Sequence, residues 1–302
     1  MLSMSFATSL VAITAAIAVY MLFSSAFIPL LDSINLGLLG GNRDRYGRQR
    51  MWGSIGFIIG SWLYGFVLQQ TGLHALFYGS VAGLLLMLPG LAVLRVNRPA
   101  TVQTAAWSGF IHFIRLPRWL LFALCLIMIG IVNNAMTNYL GIYIKELQGS
   151  ATLIGTSAAL GALTELPVMF FSSYLLRRLG SRGLIAIGFA FFAVRMLLYG
   201  LLPAPEWVLA IALFHGFTFA PYWVGSVSYA SELAPDNLRA TAQGMLMFLV
   251  GLAGVIGSPI NGGLYDWLGT AQLFLVNGGL AVAALVILEL GRKKQPKKLI
   301  YR

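Results

Sequence analysis

Nine apolar runs, each long enough to cross a bilayer, follow one another along this chain, and arginines collect in alternate connections between them. A membrane helix needs about 20 mostly apolar residues. In lipid every backbone polar group must be satisfied internally, which leaves helices and closed barrels as the spanning structures. Barrel strands are only about 10 residues long, so these runs predict helices. The expected spans are 7–33, 51–70, 73–94, 119–145, 151–176, 183–203, 206–230, 239–262 and 270–290. Composition agrees: 59% of residues are hydrophobic and only 10% charged, against roughly 25% charged in soluble domains.

A formal net charge of +11 would suit nucleic acid if it formed one surface. It is instead dealt out between the apolar runs, so no nucleic-acid partner is expected. Basic residues collect at Arg43, Arg45, Arg48 and Arg50, then at Arg95, Arg98, Arg115 and Arg118. They return at Arg177, Arg178 and Arg182, at Arg239, and in the tail from Arg292 to Arg302. The intervening connections hold only Lys145. This asymmetry predicts a cytoplasmic C-terminus, and nine spans then put the N-terminus outside. The first run is too long and lacks the basic flank of a cleavable export signal. The single cysteine, Cys125, sits within an apolar run and reads as a packing residue. No metal-ligand cluster or catalytic motif stands out, so neither a cofactor nor an enzyme is expected.

Three ionisable residues lie deep inside three consecutive runs: Glu165, Arg195 and His215. A charge at the centre of a membrane helix costs about 2.5–3.5 kcal/mol on insertion scales. Such groups persist where they pair or line a polar pathway. An acid, a base and a titratable imidazole suit a chain that moves a solute, with protons as second cargo. The plainer alternative is a charge-paired lock between helices.

The chain also repeats itself. Gly60-Ser61, Gly65, Gly72 and Leu76-Phe77 recur as Gly257-Ser258, Gly262, Gly269 and Leu273-Phe274 at one constant offset. That offset is too long for a solenoid and suits the parallel halves of a transporter. It maps the last three spans onto the first three and leaves the fourth to sixth without a counterpart. The expectation is two six-helix halves lacking the first three helices. Residues 1–94 are then the remainder of the first half, 95–118 a cytoplasmic linker, 119–291 the second half, and 292–302 a basic tail.

This organisation resembles the major facilitator superfamily. Tyr46-Gly47-Arg48-Gln49-Arg50-Met51-Trp52-Gly53-Ser54-Ile55-Gly56-Phe57 is similar to the entry of the fifth helix in its oligosaccharide–proton symporter and phenylpropionic acid transporter branch. Ser231-Glu232-Leu233-Ala234-Pro235, running on to Arg239-Ala240-Thr241-Ala242-Gln243-Gly244, resembles the connection from the tenth helix to the eleventh. Gly262-Gly263-Leu264-Tyr265-Asp266 resembles the next turn. Leu176-Arg177-Arg178-Leu179-Gly180-Ser181-Arg182 is similar to a degenerate cytoplasmic loop motif, with Arg177 where that motif carries an acid. The implied fold is all-α and polytopic, with nine transmembrane helices corresponding to helices 4–12 of a twelve-helix fold.

The resemblance also implies roles. Asp32 and Arg50 match a substrate-contacting pair at the fourth and fifth helices; alternatively they mark the membrane boundary. Glu165, Arg195 and His215 match the proton-coupling network on the eighth, ninth and tenth helices, where the histidine also meets substrate. The sugar symporters carry a second acid one turn after the histidine. Here that position is Thr218, so Glu165 or Asp32 would have to titrate. Asn134 and Asn138, four apart and on one helix face, either line the cavity or bond across helices, as does Asn133. Phe217, Phe219, Tyr222 and Trp223 either pack an aromatic solute or face core and lipid.

The expected function is secondary transport of a small organic solute in a bacterial-type inner membrane. Proton symport of an aromatic or other small carboxylic acid is favoured, because Arg50 and Arg195 offer cationic anchors. A sugar or nucleoside is the nearest competitor. A truncated, non-transporting membrane protein or partner subunit is the competitor from another class. The expected partners are a small-molecule substrate, protons and the lipid bilayer. Residue patterns leave the oligomeric state open.

Overall fold

A computed structural model describes residues 113–235 and 238–293, helical stretches within 48–60 and 75–93, and a few isolated residues before them. Asp32 and Arg50 lie outside the described residues, as does most of the first expected span. Among the described residues every regular element is a helix. The chain divides into two compact units, one of Met1–Arg43 with Trp52–Val102 and one of Asp44–Met51 with Gln103–Arg302. In the first, helix α1 covers Ala75–Val93, on the third expected span.

Among the described residues the second unit holds seven helices of its own. They are α2 (Pro117–Glu146), α3 (Ala151–Phe170), α4 (Ser172–Gly200) and α5 (Trp207–Ala212), then α6 (His215–Leu233), α7 (Arg239–Leu268) and α8 (Thr270–Lys293). Six segments in this unit are long and apolar enough to cross a membrane. They fall on the last six expected spans.

Local chemistry sets the ends. Pro117 opens α2, where its missing N–H costs nothing and its fixed φ is already helical. Ser150 caps α3, its hydroxyl accepting from the Leu153 N–H at 3.1 Å. Gly269, at φ 80°, turns the chain between α7 and α8, a backbone conformation that glycine adopts at little cost.

Two expected boundaries are corrected. The span drawn as 151–176 stops at Phe170, and the basic stretch beyond it is helical. The loop expected over 177–182 is a single kink at Gly180 (φ 70°, ψ 167°) inside α4, a region of backbone space open essentially to glycine alone. The run at 206–230 holds as one apolar stretch, Trp207–Leu233. A tight turn divides it into α5 and α6, where Leu213 and Phe214 keep right-handed helical backbone and donate to carbonyls three residues back, at 3.3 and 3.1 Å. This short 3₁₀-type turn ends immediately before His215.

Packing divides the helices into two overlapping groups. α4 packs mainly against α6 and α8, α2 against α7 and α8, and α3 against α6. Large side chains fill the contacts, among them Trp119, Phe122, Phe189, Phe192, Tyr199 and Phe274, all essentially buried. Cys125 is buried as expected, its thiol directed at the Ala284 carbonyl. Outward faces expose apolar residues such as Phe248, Val255 and Leu290, as suits a lipid boundary.

Candidate functional site

Close helix contacts bring the ionisable trio together. Gly216 of α6 lies against the backbone of α3, and an added Cβ there would collide with the Thr164 carbonyl oxygen. The Gly216 N–H donates to the Thr164 hydroxyl at 2.9 Å. Gly161, one turn earlier on α3, faces the His215 side chain so closely that a Cβ would sit 3.2 Å from it. On the other flank, Gly188 and Gly225 let α4 approach α6 backbone to backbone. Small residues allow this kind of approach in membranes. Here it places Glu165, Arg195 and His215, from three helices, within hydrogen-bond reach.

His215 Nε2 lies 2.7 Å from Glu165 Oε1. Its Nδ1 lies 3.0 Å from an Arg195 guanidinium nitrogen. That nitrogen also reaches the Thr218 hydroxyl at 3.3 Å, and its twin donates to the Tyr199 hydroxyl at 3.0 Å. These contacts fix the tautomer. A guanidinium only donates, so Nδ1 accepts. The ring proton is therefore on Nε2, which donates to the Glu165 carboxylate. The arrangement sets a guanidinium, an imidazole and a carboxyl group in one hydrogen-bonded line.

Arg195 is 2% exposed, and its Nε is buried without a partner among the described residues. His215 keeps 21% of its side chain accessible and Glu165 10%. The arginine is thus the interior end of this line of contacts and the histidine its more accessible part. Thr218 donates to the Phe214 carbonyl at 2.8 Å while accepting from Arg195, so it tethers the guanidinium in the place where sugar symporters carry an acid. The His215 ring lies nearly parallel to Phe219, which in turn lies nearly parallel to Trp223.

The structure does not bring Asn134 into this site. It joins a second polar cluster between α2, α7 and α8, with Asn261 and Asn277. Asn277 donates to Asn261 Oδ1 at 2.9 Å, and Asn261 donates to Asn134 Oδ1 at 3.1 Å. Asn134 donates onward to the Gly254 carbonyl at 3.4 Å and to the Ser258 hydroxyl at 3.2 Å. Asn138 is exposed one turn further along α2. Glu206 and Asp266 are exposed as well.

Sequence reasoning missed Tyr199, Asn261 and Asn277. Tyr199 follows Arg195 by four residues, one helical turn, which was a usable signal. Asn261 and Asn277 offered only their polarity within apolar runs.

The family model described as the MFS_1 like family matches residues 1–276. The chain belongs to the major facilitator superfamily. It is similar to the probable 3-phenylpropionic acid transporter of Escherichia coli, 24% identical over 88% of this chain and 70% of that protein. It is 27% identical to the maltose permease of Geobacillus stearothermophilus, over 90% of this chain and 69% of that protein. The uncharacterized transporter YwbF of Bacillus subtilis is 24% identical over 88% of this chain and 67% of its own length. Membership in this transporter superfamily, with apolar helices able to cross a membrane, makes the chain an integral membrane protein of solute transport.

Proposed function

We propose that this chain is a proton-coupled symporter of a small carboxylic acid, aromatic acids foremost, in a bacterial-type inner membrane with its C-terminus cytoplasmic. The observation that carries the reading is the continuous contact from Glu165 through His215 to Arg195 across three helices. Buried opposite charges bridged by an imidazole change partners when a proton arrives. A proton taken up at His215 Nδ1 turns an acceptor into a donor. The ring then meets Arg195 N–H with N–H, and that contact is lost. Arg195 keeps Thr218 and Tyr199 as tethers, and its released donors are free for a solute carboxylate, which an arginine fork fits. Proton and anion thus enter together with no net charge added.

The break before His215 gives this exchange a mechanical outlet, because α6 can tilt about the Leu213–Phe214 turn. Alternating access by rocking of packed helices is how such folds expose a midplane site to each side in turn. Asp32, Arg50, Asn134 and Asn138 are proposed as separate substrate contacts, each on its sequence position alone. The name of the Escherichia coli relative supports an aromatic acid. The name of the maltose permease keeps a sugar as competitor, and a nucleoside stays beside it as the other neutral solute expected from the sequence.

The test is uptake of labelled 3-phenylpropionate into proteoliposomes carrying the chain, with and without an inward proton gradient. Uptake driven by the gradient and abolished by Glu165→Gln is expected. Uptake indifferent to both would refute proton symport. Competition by unlabelled maltose or xanthosine, with none by carboxylates, would move the substrate class to a neutral solute.

A further inference from the structure

The stretch 176–182 carries three arginines and no acid, so its charges need partners from elsewhere. Two of the three are engaged within the chain. Arg182 donates to the Leu288 carbonyl of α8, and Arg177 has a partner as well. Arg178 is different. It is exposed and meets no carboxylate among the described residues. Its guanidinium carbon stands over the Tyr174 ring, 5.2 Å from the centroid.

Arg178 belongs to an outward face. Tyr174, four residues earlier and so on the same side of the helix, is exposed. Phe170 and Phe171, where α3 meets α4, are exposed too, their rings edge to face with centroids 5.1 Å apart. Leu176 points the other way and packs with Leu184 and Val224. Over about two turns of helix the outward face grades from phenyl rings through a phenol to a guanidinium. Amphipathic rings of this kind sit at the level where hydrocarbon gives way to headgroups.

A guanidinium lying on a tyrosine keeps its N–H donors around its edge, where a phosphate can take two of them at once. No acid stands beside Arg178 to receive a choline or ethanolamine ammonium, so a headgroup of net negative charge is favoured over a zwitterion. The phenyl rings next to it suit an anion that carries acyl chains.

We infer that this face of α4 binds an anionic phospholipid, with Arg178 taking the phosphate, Tyr174 holding the guanidinium in place, and Phe170 and Phe171 meeting the acyl chains. The site lies outside the transport reading and does not depend on it. It also gives a use to a loop motif that has lost its acid.

The test is lipid binding to the purified full chain in detergent, with phosphatidylglycerol and phosphatidylcholine offered in equal amounts and bound lipid counted by native mass spectrometry. Wild-type protein is expected to prefer phosphatidylglycerol. Arg178→Gln should weaken its binding about fivefold, the scale of one basic residue at an anionic surface. Arg178→Lys keeps the charge, loses the fork, and should fall between the two. Tyr174→Phe keeps the ring and should bind as wild type does, whereas Tyr174→Leu should bind less. Arg292→Gln, in the basic tail, removes an equal charge elsewhere and should change the preference far less. No preference in wild type, Arg178→Gln equal to wild type, or an equal loss in Arg292→Gln would overturn the inference. Displacement of the lipid by excess inorganic phosphate would make this a site for a free anion, and would overturn it too.

Discussion

The second unit buries two polar groupings that are alike in reach and opposite in kind. One joins α3, α4 and α6 through an acid, an imidazole and a guanidinium. The other joins α2, α7 and α8 through three carboxamides. The first is built of ionisable groups joined through both nitrogens of His215. The second is built of groups that do not titrate, and three backbone carbonyls hold its polarity. A membrane interior makes both costly; in the proposed function the first is the switch and the second stays fixed.

Substitutions can break the contrast, and the largest effect is expected on the charged side. Arg195→Gln removes the charged donor to His215, Thr218 and Tyr199, and hydrogen bonds to a charged group are worth about 1.5–3 kcal/mol each. Thermal unfolding in detergent should show that loss. The double substitution Glu165→Gln with Arg195→Gln should recover most of the stability and none of the gradient-driven uptake. Recovery of uptake would mean that the pair is only a lock.

Next comes Gly216→Ala, which pushes a methyl group at the Thr164 carbonyl. Overpacking of this kind costs about 1–3 kcal/mol, and α3 and α6 must part to admit it. Proton-driven uptake should fall along with stability, since that contact holds Glu165 to His215. Uptake unchanged beside a lowered unfolding temperature would separate the glycine contact from the switch.

Asn261→Leu should cost about 1–3 kcal/mol, the penalty for stranding buried amide partners. It should leave the dependence of uptake on the proton gradient intact. A lost gradient dependence would join the two groupings into one. Tyr199→Phe is expected to be mildest, at about 1 kcal/mol for one hydrogen bond, since Arg195 keeps Thr218 and His215. Uptake measured across pH should shift modestly in that variant, and an unmoved profile would make Tyr199 mere packing.

Much of this was legible from residue order. Spans of apolar residues placed α2, α3, α4, α6, α7 and α8, because length and hydropathy alone decide what crosses a bilayer. The trio Glu165, Arg195 and His215 was visible because charge inside an apolar run is costly. Their assembly was not derivable from spacing, since the residues lie on three helices. It depends on glycines such as Gly161 and Gly216, whose role appears only when helices are packed. The break before His215 was hidden because Leu213 and Phe214 are as apolar as their neighbours. The Gly180 kink was read as a loop because its flanks are basic. Asn134 stood out through its repeats along α2. Asn261 and Asn277 did not, since each is the lone asparagine of its run, and their partnership exists only across helices.

Simultaneous measurement of solute and proton movement bears on proton coupling most directly. Proteoliposomes with an internal pH dye are given 3-phenylpropionate from outside, with no gradient imposed. Coupled symport predicts internal acidification that tracks solute entry and disappears in Glu165→Gln. Solute entry with no proton movement, or acidification that persists in Glu165→Gln, would contradict a proton switch at Glu165, His215 and Arg195.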